Sequence, residues 1–284
     1  MNWLIQALNG LSFGMLLFLI AAGLSVSFGV MRVLNLSHGS FFLLGGYLGL
    51  AVLGLTGNFL AAAVAAAVLV AALGFVVQRL LLWRIRHDEL AQVLMTLGVL
   101  LILSDLALLI WGGSPTRLPE PAFLQESVGI GGRMFPTYRL FLIGFGLLIA
   151  AGQWWLIERT RVGAVVRAGV DDAELAQTHG INIPAIFTLV FAVGAALAGL
   201  GGVVGGPIVG MYPGADIEVL TLALVVIVVG GLGSVEGALV GSLLVGLVDS
   251  FGKALFPELA LFTVYAPMVV ILALRPQGLL GART

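Results

Sequence analysis

The sequence predicts an all-α fold, a polytopic transmembrane bundle of about eight to ten membrane helices. Hydrophobic residues make up 60% of the 284 positions and charged residues only 10%, whereas about 25% of residues in soluble domains are charged. The mean hydropathy is +1.15. Because lipid offers a backbone no hydrogen-bond partner, spanning segments must be helices or closed barrels, and the apolar runs lack the alternation of barrel strands.

The helices follow from the length of the apolar runs, since a span needs about 20 mostly apolar residues. The predicted helices cover 5–31, 37–56, 58–82, 91–111, 139–157, 184–204, 217–232, 236–252 and 262–275. The seventh and eighth surround "VVGGLGSVEGALVG", whose glycines favour broken or re-entrant helices over full spans. We treat 1–284 as a single transmembrane domain.

The basic residues predict the orientation, because Lys and Arg in short loops stay on the cytoplasmic side. An N-out, C-in arrangement places nine basic residues inside and four outside, and leaves a solvated outer loop at 112–138. The inner ones are Arg32, Arg79, Arg84, Arg86, Arg159, Arg161, Arg167, Arg275 and Arg283, and the outer ones are Arg117, Arg133, Arg139 and Lys253.

Glycine is abundant, at 40 residues, and is often spaced by four, as at Gly45 and Gly49. Such spacing lets helix backbones approach closely where lipid supplies no hydrophobic drive, so we expect tight helix packing. The net charge of −1 argues against a nucleic-acid partner, which needs clustered Lys and Arg. The absence of Cys excludes thiolate metal sites.

A polar group interrupts the apolar run "LNLSHGSFFLLGGYLG" at residues 34–49. Polar side chains at membrane depth are costly unless they pair or face a wet cavity. One interpretation is that Asn35, Ser37, His38 and Gly39 satisfy backbone at a helix break and line a translocation path. The other is that Ser37 caps the second helix and His38 hydrogen-bonds a neighbouring carbonyl. The two interpretations are compatible, and both stay open.

Asp105 is predicted to be the deepest acidic residue of the spans, and an intramembrane carboxylate is a functional candidate. It supports an alternative function, a self-sufficient ion-coupled secondary carrier for a small polar solute with glycine-broken helices around a central site. Asp249 and Lys253 are spaced i, i+4 near the outer end of the eighth helix, which predicts an ion pair.

The longest inner loop, "ERTRVGAVVRAGVDDAELAQTHGINIP", is predicted to form a cytoplasmic helix at 162–180. Its apolar stripe is made of small residues, whereas a helix that sinks into lipid carries large ones. The stripe therefore favours packing against protein, and a linker helix that packs on its own bundle is the alternative. The residues predicted on the stripe are Val162, Val165, Val166, Gly169, Ala173, Ala176 and Gly180, with Arg167, Asp172 and Glu174 among the solvated ones.

Four motifs now carry a resemblance that runs from about residue 4 to 281. They are "NLSHGSFFLLGGYLG", "RAGVDDAELAQTHGINIPAIFTLVFAVGAALAGLGGV", "GGLGSVEGALVGSLLVG" and "RPQGLLG". In this order they resemble the permease subunits of branched-chain amino-acid ABC transporters, and among these the shorter, LivH type. Ser37 stands where many members have Ala.

The resemblance implies a permease subunit, not an enzyme, that forms half of a translocation path in the cell (inner) membrane for branched-chain or related amino acids. It implies a second permease of the LivM type, two cytoplasmic ATP-binding subunits and a periplasmic or surface solute-binding protein, and no cofactor. The chain has no Gly-x-x-x-x-Gly-Lys-Ser/Thr motif, so the ATPase must be a separate polypeptide. By analogy, the 162–180 helix docks on that ATPase.

Overall fold

Eleven α-helices form the framework of residues 3–281, which are the residues that this computed structural model describes. The side chains of Asp171, Ala173 and Glu174 lie outside the description, as does Arg283. The helices are α1 (Trp3–Met31), α2 (His38–Thr56), α3 (Phe59–Val76), α4 (Glu89–Trp111), α5 (Thr137–Arg159), α6 (Arg161–Asp171), α7 (Ala173–Thr178), α8 (Ile183–Val209), α9 (Ala215–Gly230), α10 (Val235–Leu255) and α11 (Ala266–Leu274).

Seven helical segments within residues 3–281 are long and apolar enough to cross a membrane, which confirms the predicted polytopic bundle. They are α1, α2, α4, α5, α8, α10 and α3 with its continuation to Ile85 through a π-helical turn and a 3₁₀ turn. The predicted seventh and ninth spans are shorter, since α9 has 16 residues and α11 has 9. A 16-residue helix is about 24 Å long, less than the hydrocarbon core of about 30 Å.

The outer loop is more regular than the sequence indicates. A 3₁₀ turn at Ala122–Leu124 is followed by two short antiparallel strands, β1 (Ser127–Ile130) and β2 (Arg133–Pro136). Gly131 and Gly132 join the strands with positive φ angles of 57° and 78°, which glycine adopts without steric cost.

The helix α1 lies at the centre of the bundle, between α5, α8, α9 and α10. The side chains of Leu16, Leu17, Phe18 and Ile20 are at most 1% exposed. The helices α3, α4 and α5 expose many large apolar side chains at the periphery, as lipid-facing helices do. A helix buried on all sides explains why α1 is apolar all round, without a polar face.

Glycines set the spacing of the central helices, as the sequence predicts. A Cβ atom on Gly14 of α1 would lie 2.9 Å from the carbonyl oxygen of Ser242 in α10. A Cβ on Gly45 of α2 would lie 2.5 Å from the carbonyl oxygen of Gly199 in α8. Both separations are below normal contact, so any larger side chain would push these helices apart.

The C-terminal motif "RPQGLLG" completes the inner end of α9. The backbone N–H groups of Leu279 and Leu280 donate to the carbonyl oxygens of Val229 and Gly230, at 2.9 and 2.8 Å. These carbonyls belong to the last turn of α9, which has no later turn to supply donors. The motif therefore ends the helix by main-chain pairing.

The glycine seam gives a stability prediction with a matched control in the same helix. We expect Gly45→Ala to destabilise the protein by about 1–3 kcal/mol, because the added methyl group overpacks the contact with α8. Gly54→Ala should leave stability unchanged or raise it, because nothing lies within 4 Å of that position and Ala favours the helix. Thermal unfolding of the purified chain in detergent measures both. Equal loss in the two variants would contradict the packing role of Gly45.

Candidate functional site

The chain turns back into the bundle between α1 and α2. The Nε2 atom of His38 lies 2.7 Å from the carbonyl oxygen of Ile20. This carbonyl lies about 16 Å along α1 from its end at Met31, at 1.5 Å per residue. Arg32, the one non-glycine residue among 3–281 with a positive φ (54°), begins the reversal. The helix α2 therefore starts within the bundle rather than at its cytoplasmic surface.

Short polar side chains satisfy the backbone at this break. The side-chain oxygen of Asn35 accepts hydrogen bonds from the backbone N–H and the hydroxyl of Ser37, at 3.1 and 2.6 Å. The hydroxyl of Ser40 donates to the carbonyl of Ser37 at 2.8 Å. The hydroxyl of Thr96 on α4 accepts from the backbone N–H of Leu36 at 3.1 Å. The backbone at the break requires these side chains because no water is available there to hydrogen-bond it.

The structure tests the second interpretation, in which Ser37 caps α2 and His38 hydrogen-bonds a neighbouring carbonyl. Ser37 occupies the N-cap position of α2, but its side chain makes no capping bond because the hydroxyl is committed to Asn35. The side-chain cap was therefore a wrong prediction, whereas the bond from His38 to a neighbouring carbonyl is confirmed. The His38 ring is 1% exposed, and its Nδ1 atom has no hydrogen-bond partner among the described residues.

Asp216, which the sequence analysis missed, lies beside this break. A Cβ atom on Gly39 would collide with the carbonyl oxygen of Asp216, so the first turns of α2 and α9 touch. The Asp216 carboxylate is 1% exposed and accepts a hydrogen bond from the hydroxyl of Ser104 on α4. Two helix N-termini, each the positive end of a helix dipole, therefore meet next to one buried carboxylate.

Asp105 is exposed at the surface of the described chain. Its helix α4 is one of the candidate spans, so its depth in the membrane stays a prediction. It lines a cavity of 190 Å³ together with Ser104, Asp216 and Tyr47. Its exposure follows from its helix, since α4 lies at the edge of the bundle. Among the described residues the bundle buries two acidic side chains, Asp216 beside this break and Asp249 on α10. The signal of Asp216 in the sequence is the run "PGADIE", which places an Asp in the first turn of an apolar helix.

The outer end of this region is tied down by the loop before α9. Thr116 and Met211 exchange two backbone hydrogen bonds, at 2.8 and 2.7 Å. The hydroxyl of Tyr212 donates to the carboxylate of Glu218, and this bond, with burial, raises the pKa of Tyr212 to about 12. The tyrosine therefore stays protonated, and remains a donor, throughout the physiological pH range.

The cytoplasmic segment is two helices rather than the one predicted over 162–180. The hydroxyl of Thr160 caps α6 by accepting from the N–H of Gly163 at 3.1 Å. Asp172 is extended, with φ −152° and ψ 97°, and its carboxylate caps α7 by accepting from Leu175 at 2.9 Å. An Asp that bonds the backbone locally competes with a continuous helix. Gly180, with φ 81°, follows the end of α7.

The residues of the predicted small-residue stripe do not lie on one face. Gly169 and Ala176 are buried, and a Cβ on Gly169 would lie 2.9 Å from Ile183 of α8. Val165 faces outward and is 37% exposed, whereas Val162, 48% exposed, also borders a cavity on the bundle side of α6. The single apolar face was therefore a wrong prediction, since its small members pack on the chain's own bundle. Ala173 and Glu174 lie outside the described side chains, Val166 is half-buried, and Gly180 is exposed.

Arg167 is anchored rather than free. Its guanidinium lies 3.7 Å from the carboxylate of Glu158 and donates to the carbonyl of Ile157 at the end of α5. It therefore ties α6 to the last turn of α5.

An apolar cavity of 310 Å³ separates α6 from the central helices. Val166 and Val170 of α6 line one side, Val26 and Val30 of α1 another, and Val190 of α8 a third. A void of this kind forfeits packing contacts on every wall, so the helix above it is held less firmly than a core helix.

Comparison with known proteins gives a consistent result over nearly the full chain. The family model described as "Branched-chain amino acid transport system / permease component" matches residues 6–272. The high-affinity branched-chain amino acid transport system permease protein BraD of Pseudomonas aeruginosa is 29% identical over 99% of this chain and 96% of its own. LivH of Escherichia coli K12, with the same description, is 28% identical over 97% and 94%. The ribose import permease protein RbsC of Escherichia coli K12 is 27% identical over 84% and 75%.

One solved structure shares the fold. It is described as PsaBC from Streptococcus pneumoniae in complex with Fab, and it aligns with a TM-score of 0.51 at 15% identity. The alignment covers 95% of this chain and 91% of that chain.

Cysteine labelling can distinguish the exposed residues of the α6–α7 segment from the buried ones, because the chain has no native Cys. We expect Val165→Cys to react rapidly with a polar maleimide in the purified protein, since the side chain is exposed. Ala176→Cys, at a position only 6% exposed, is the matched control and should react at least about tenfold more slowly, because burial limits access to the thiolate. Mass spectrometry follows both reactions. Faster labelling at Ala176→Cys would overturn this assignment of the faces.

Proposed function

The chain belongs to the branched-chain amino acid transport system permease family, and on this ground we propose that it forms half of the translocation path of an ABC importer for branched-chain or related amino acids. The observation that carries the proposal is the match of residues 6–272 to that family. The chain is a multi-pass membrane protein whose relatives are transport permeases rather than enzymes.

The alternative of a self-sufficient secondary carrier is wrong. The family and the relatives are permease components of transport systems, in which ATP hydrolysis drives the transport and belongs to separate subunits.

The extent of the matches favours an amino acid over a sugar as the solute. The two branched-chain amino acid permeases align over 94% or more of their own length. The ribose permease aligns over 75% of its length. Branched-chain amino acids are zwitterions, and a path for them must offer both signs of charge.

The start of α2 and the start of α9 fit that requirement. Helix N-termini favour a carboxylate, and the Asp216 carboxylate favours an ammonium group. Asn35, Ser37 and His38 supply polar groups that satisfy the break, and Gly39 lets the two helices touch. These residues form the path in the proposal, with Asp105 at its exposed edge.

The segment α6–α7 is the proposed contact with the ATPase. Its outward apolar residues, Val165 and Leu175, are 37% and 56% exposed, and Val162 lies at the edge of the cavity beneath α6. The cavity beneath α6 gives the helix room to move against α1 and α8. ATP binding would shift the equilibrium between two positions of this helix and thereby between two openings of the path.

The assembly in the proposal holds this chain, a different second permease of the LivM type, two cytoplasmic ATP-binding subunits and a periplasmic or surface solute-binding protein. Its location is the cell (inner) membrane. The basic residues of the inner loops support an N-out, C-in orientation in that membrane.

The path assignment is tested by separating transport from folding. We expect His38→Ala and Asn35→Leu to lower amino-acid uptake by about tenfold or more, equivalent to about 1.4 kcal/mol, because the polar break loses its partners. Uptake is measured in cells that express the complete transporter, with membrane abundance measured by immunoblot. Normal uptake, or a loss of uptake that only follows a loss of abundance, would contradict a role in the path.

The coupling assignment is tested by a charge placed on the outward face. We expect Val165→Glu to leave the chain in the membrane but to lower ATP-driven uptake about tenfold, because burying an unpaired carboxylate at the ATPase contact costs more than 1 or 2 kcal/mol. His87→Glu, at an exposed position in another inner loop, is the control and should retain uptake. Equal uptake in Val165→Glu and the wild type would rule out this face.

A further inference from the structure

A second polar cavity lies at the opposite end of the bundle from α6. It has a volume of 250 Å³ and lies between the outer ends of α1, α5 and α10. Phe13 and Leu16 form its apolar wall. Its polar lining consists of Gln6, Asn9, Ser12, Arg139, Asp249, Ser250 and Lys253.

The charges around this cavity do not balance. Asp249 is paired on both oxygens, with Lys253 Nζ at 2.7 Å and with the hydroxyl of Thr263. Arg139 donates to the side-chain oxygen of Asn9 and has no carboxylate partner within residues 3–281. Two cations therefore face one carboxylate, which leaves a net positive charge at Arg139.

Hydrogen bonds hold Gln6 and Ser250 of the lining in place, whereas the hydroxyl of Ser12 makes none. The Gln6 side-chain amide donates to the carbonyl of Ser250, and the Ser250 hydroxyl donates to the carbonyl of Gln6 at 2.8 Å. These two bonds lock α1 to α10. Ser12 is 2% exposed and its hydroxyl, which lines the cavity, has no hydrogen-bond partner in the described part of the chain.

We propose that this cavity binds the carboxylate group of a small organic acid, with Arg139 as the main contact and Ser12 as a second donor. Arginine pairs with carboxylates through a planar, bidentate arrangement of N–H groups, which suits it to this ligand. The Ser12 hydroxyl is a free donor at the cavity, and a bound carboxylate oxygen supplies an acceptor for it.

The identity of the acid rests on the proposed function, whereas the preference for a carboxylate does not. If the chain transports an amino acid, the ligand is that amino acid on its way from the outer side, with its α-carboxylate at Arg139. The deepest α1 residue of the cavity, Leu16, then lies about one turn of α1 from Ile20, whose carbonyl accepts from the His38 ring at the polar break.

The binding test uses the full chain in phosphatidylcholine nanodiscs and measures the midpoint of thermal unfolding. The probes are L-leucine, 4-methylpentanoate, which keeps the carboxylate but lacks the ammonium group, and L-leucinol, which lacks the carboxylate. We expect the two carboxylates to raise the midpoint and L-leucinol to leave it unchanged, because a ligand that binds only the folded state stabilises it.

Variants locate the binding. Arg139→Gln should weaken the apparent affinity for both carboxylates at least tenfold, and Ser12→Ala should weaken it to a smaller extent. Arg133→Gln, at an exposed arginine of β2 outside the cavity, is the matched control and should bind as the wild type does. The two cavity variants are independent, so Ser12→Ala keeps the test decisive if Arg139→Gln does not fold.

Several results would overturn the proposal. They are an equal shift with L-leucinol, unchanged carboxylate affinity in Arg139→Gln, and an Arg139-dependent shift produced by inorganic phosphate or by phosphatidylglycerol in place of the carboxylates. ATP-driven uptake by the complete transporter separates this proposal from the proposed function. Absence of uptake in the wild type would contradict the function, whereas the carboxylate shifts would still support the cavity.

Discussion

Inside a bilayer no water is available to a backbone amide or carbonyl, and the architecture of this protein follows from how it meets that constraint at one helix break. Between α1 and α2 the chain re-enters the bundle instead of turning at the surface. Asn35, Ser37, Ser40 and Thr96 supply the hydrogen bonds that water would otherwise make. The break is therefore stable only because α1 and α4 are packed around it.

The central helix α1 contacts both the polar break and the cavity under α6. The middle of α1 holds the His38 ring at Ile20, and its last two turns line the cavity under α6 at Val26 and Val30. On α8, Gly194 packs against Gly23 of α1, and Val190 lines the same cavity one turn away. In the proposed function, a displacement of α6 would act directly on α1, which holds the His38 ring, and on α8, which packs against α1.

Composition and apolar run length were enough to predict the class of fold and the approximate place of nine helices, because membrane thickness fixes the length of a span. They could not predict that α9 starts inside the bundle, since depth depends on which helix it packs against. Asp216 was missed for this reason. The exposure of Asp105 was not predicted because an apolar helix has the same sequence pattern at the edge of the bundle as at its centre. The break at Asp172 was missed because periodicity does not report a side chain that caps the next helix.

The sequence located the motifs at 34–49 and 162–180 and the His38–carbonyl bond, but it did not predict the other contacts of these segments. Ser37 bonds Asn35 instead of capping α2, and Gly169 and Ala176 face the bundle instead of a partner. Both errors arise where a tertiary contact competes with a local rule.

Uptake into proteoliposomes tests most directly whether the chain is half of an ATP-driven path. We expect solute to accumulate against its gradient only when the second permease, the ATP-binding subunits, the binding protein and ATP are all present, and accumulation by this chain alone under an imposed ion gradient would contradict that conclusion.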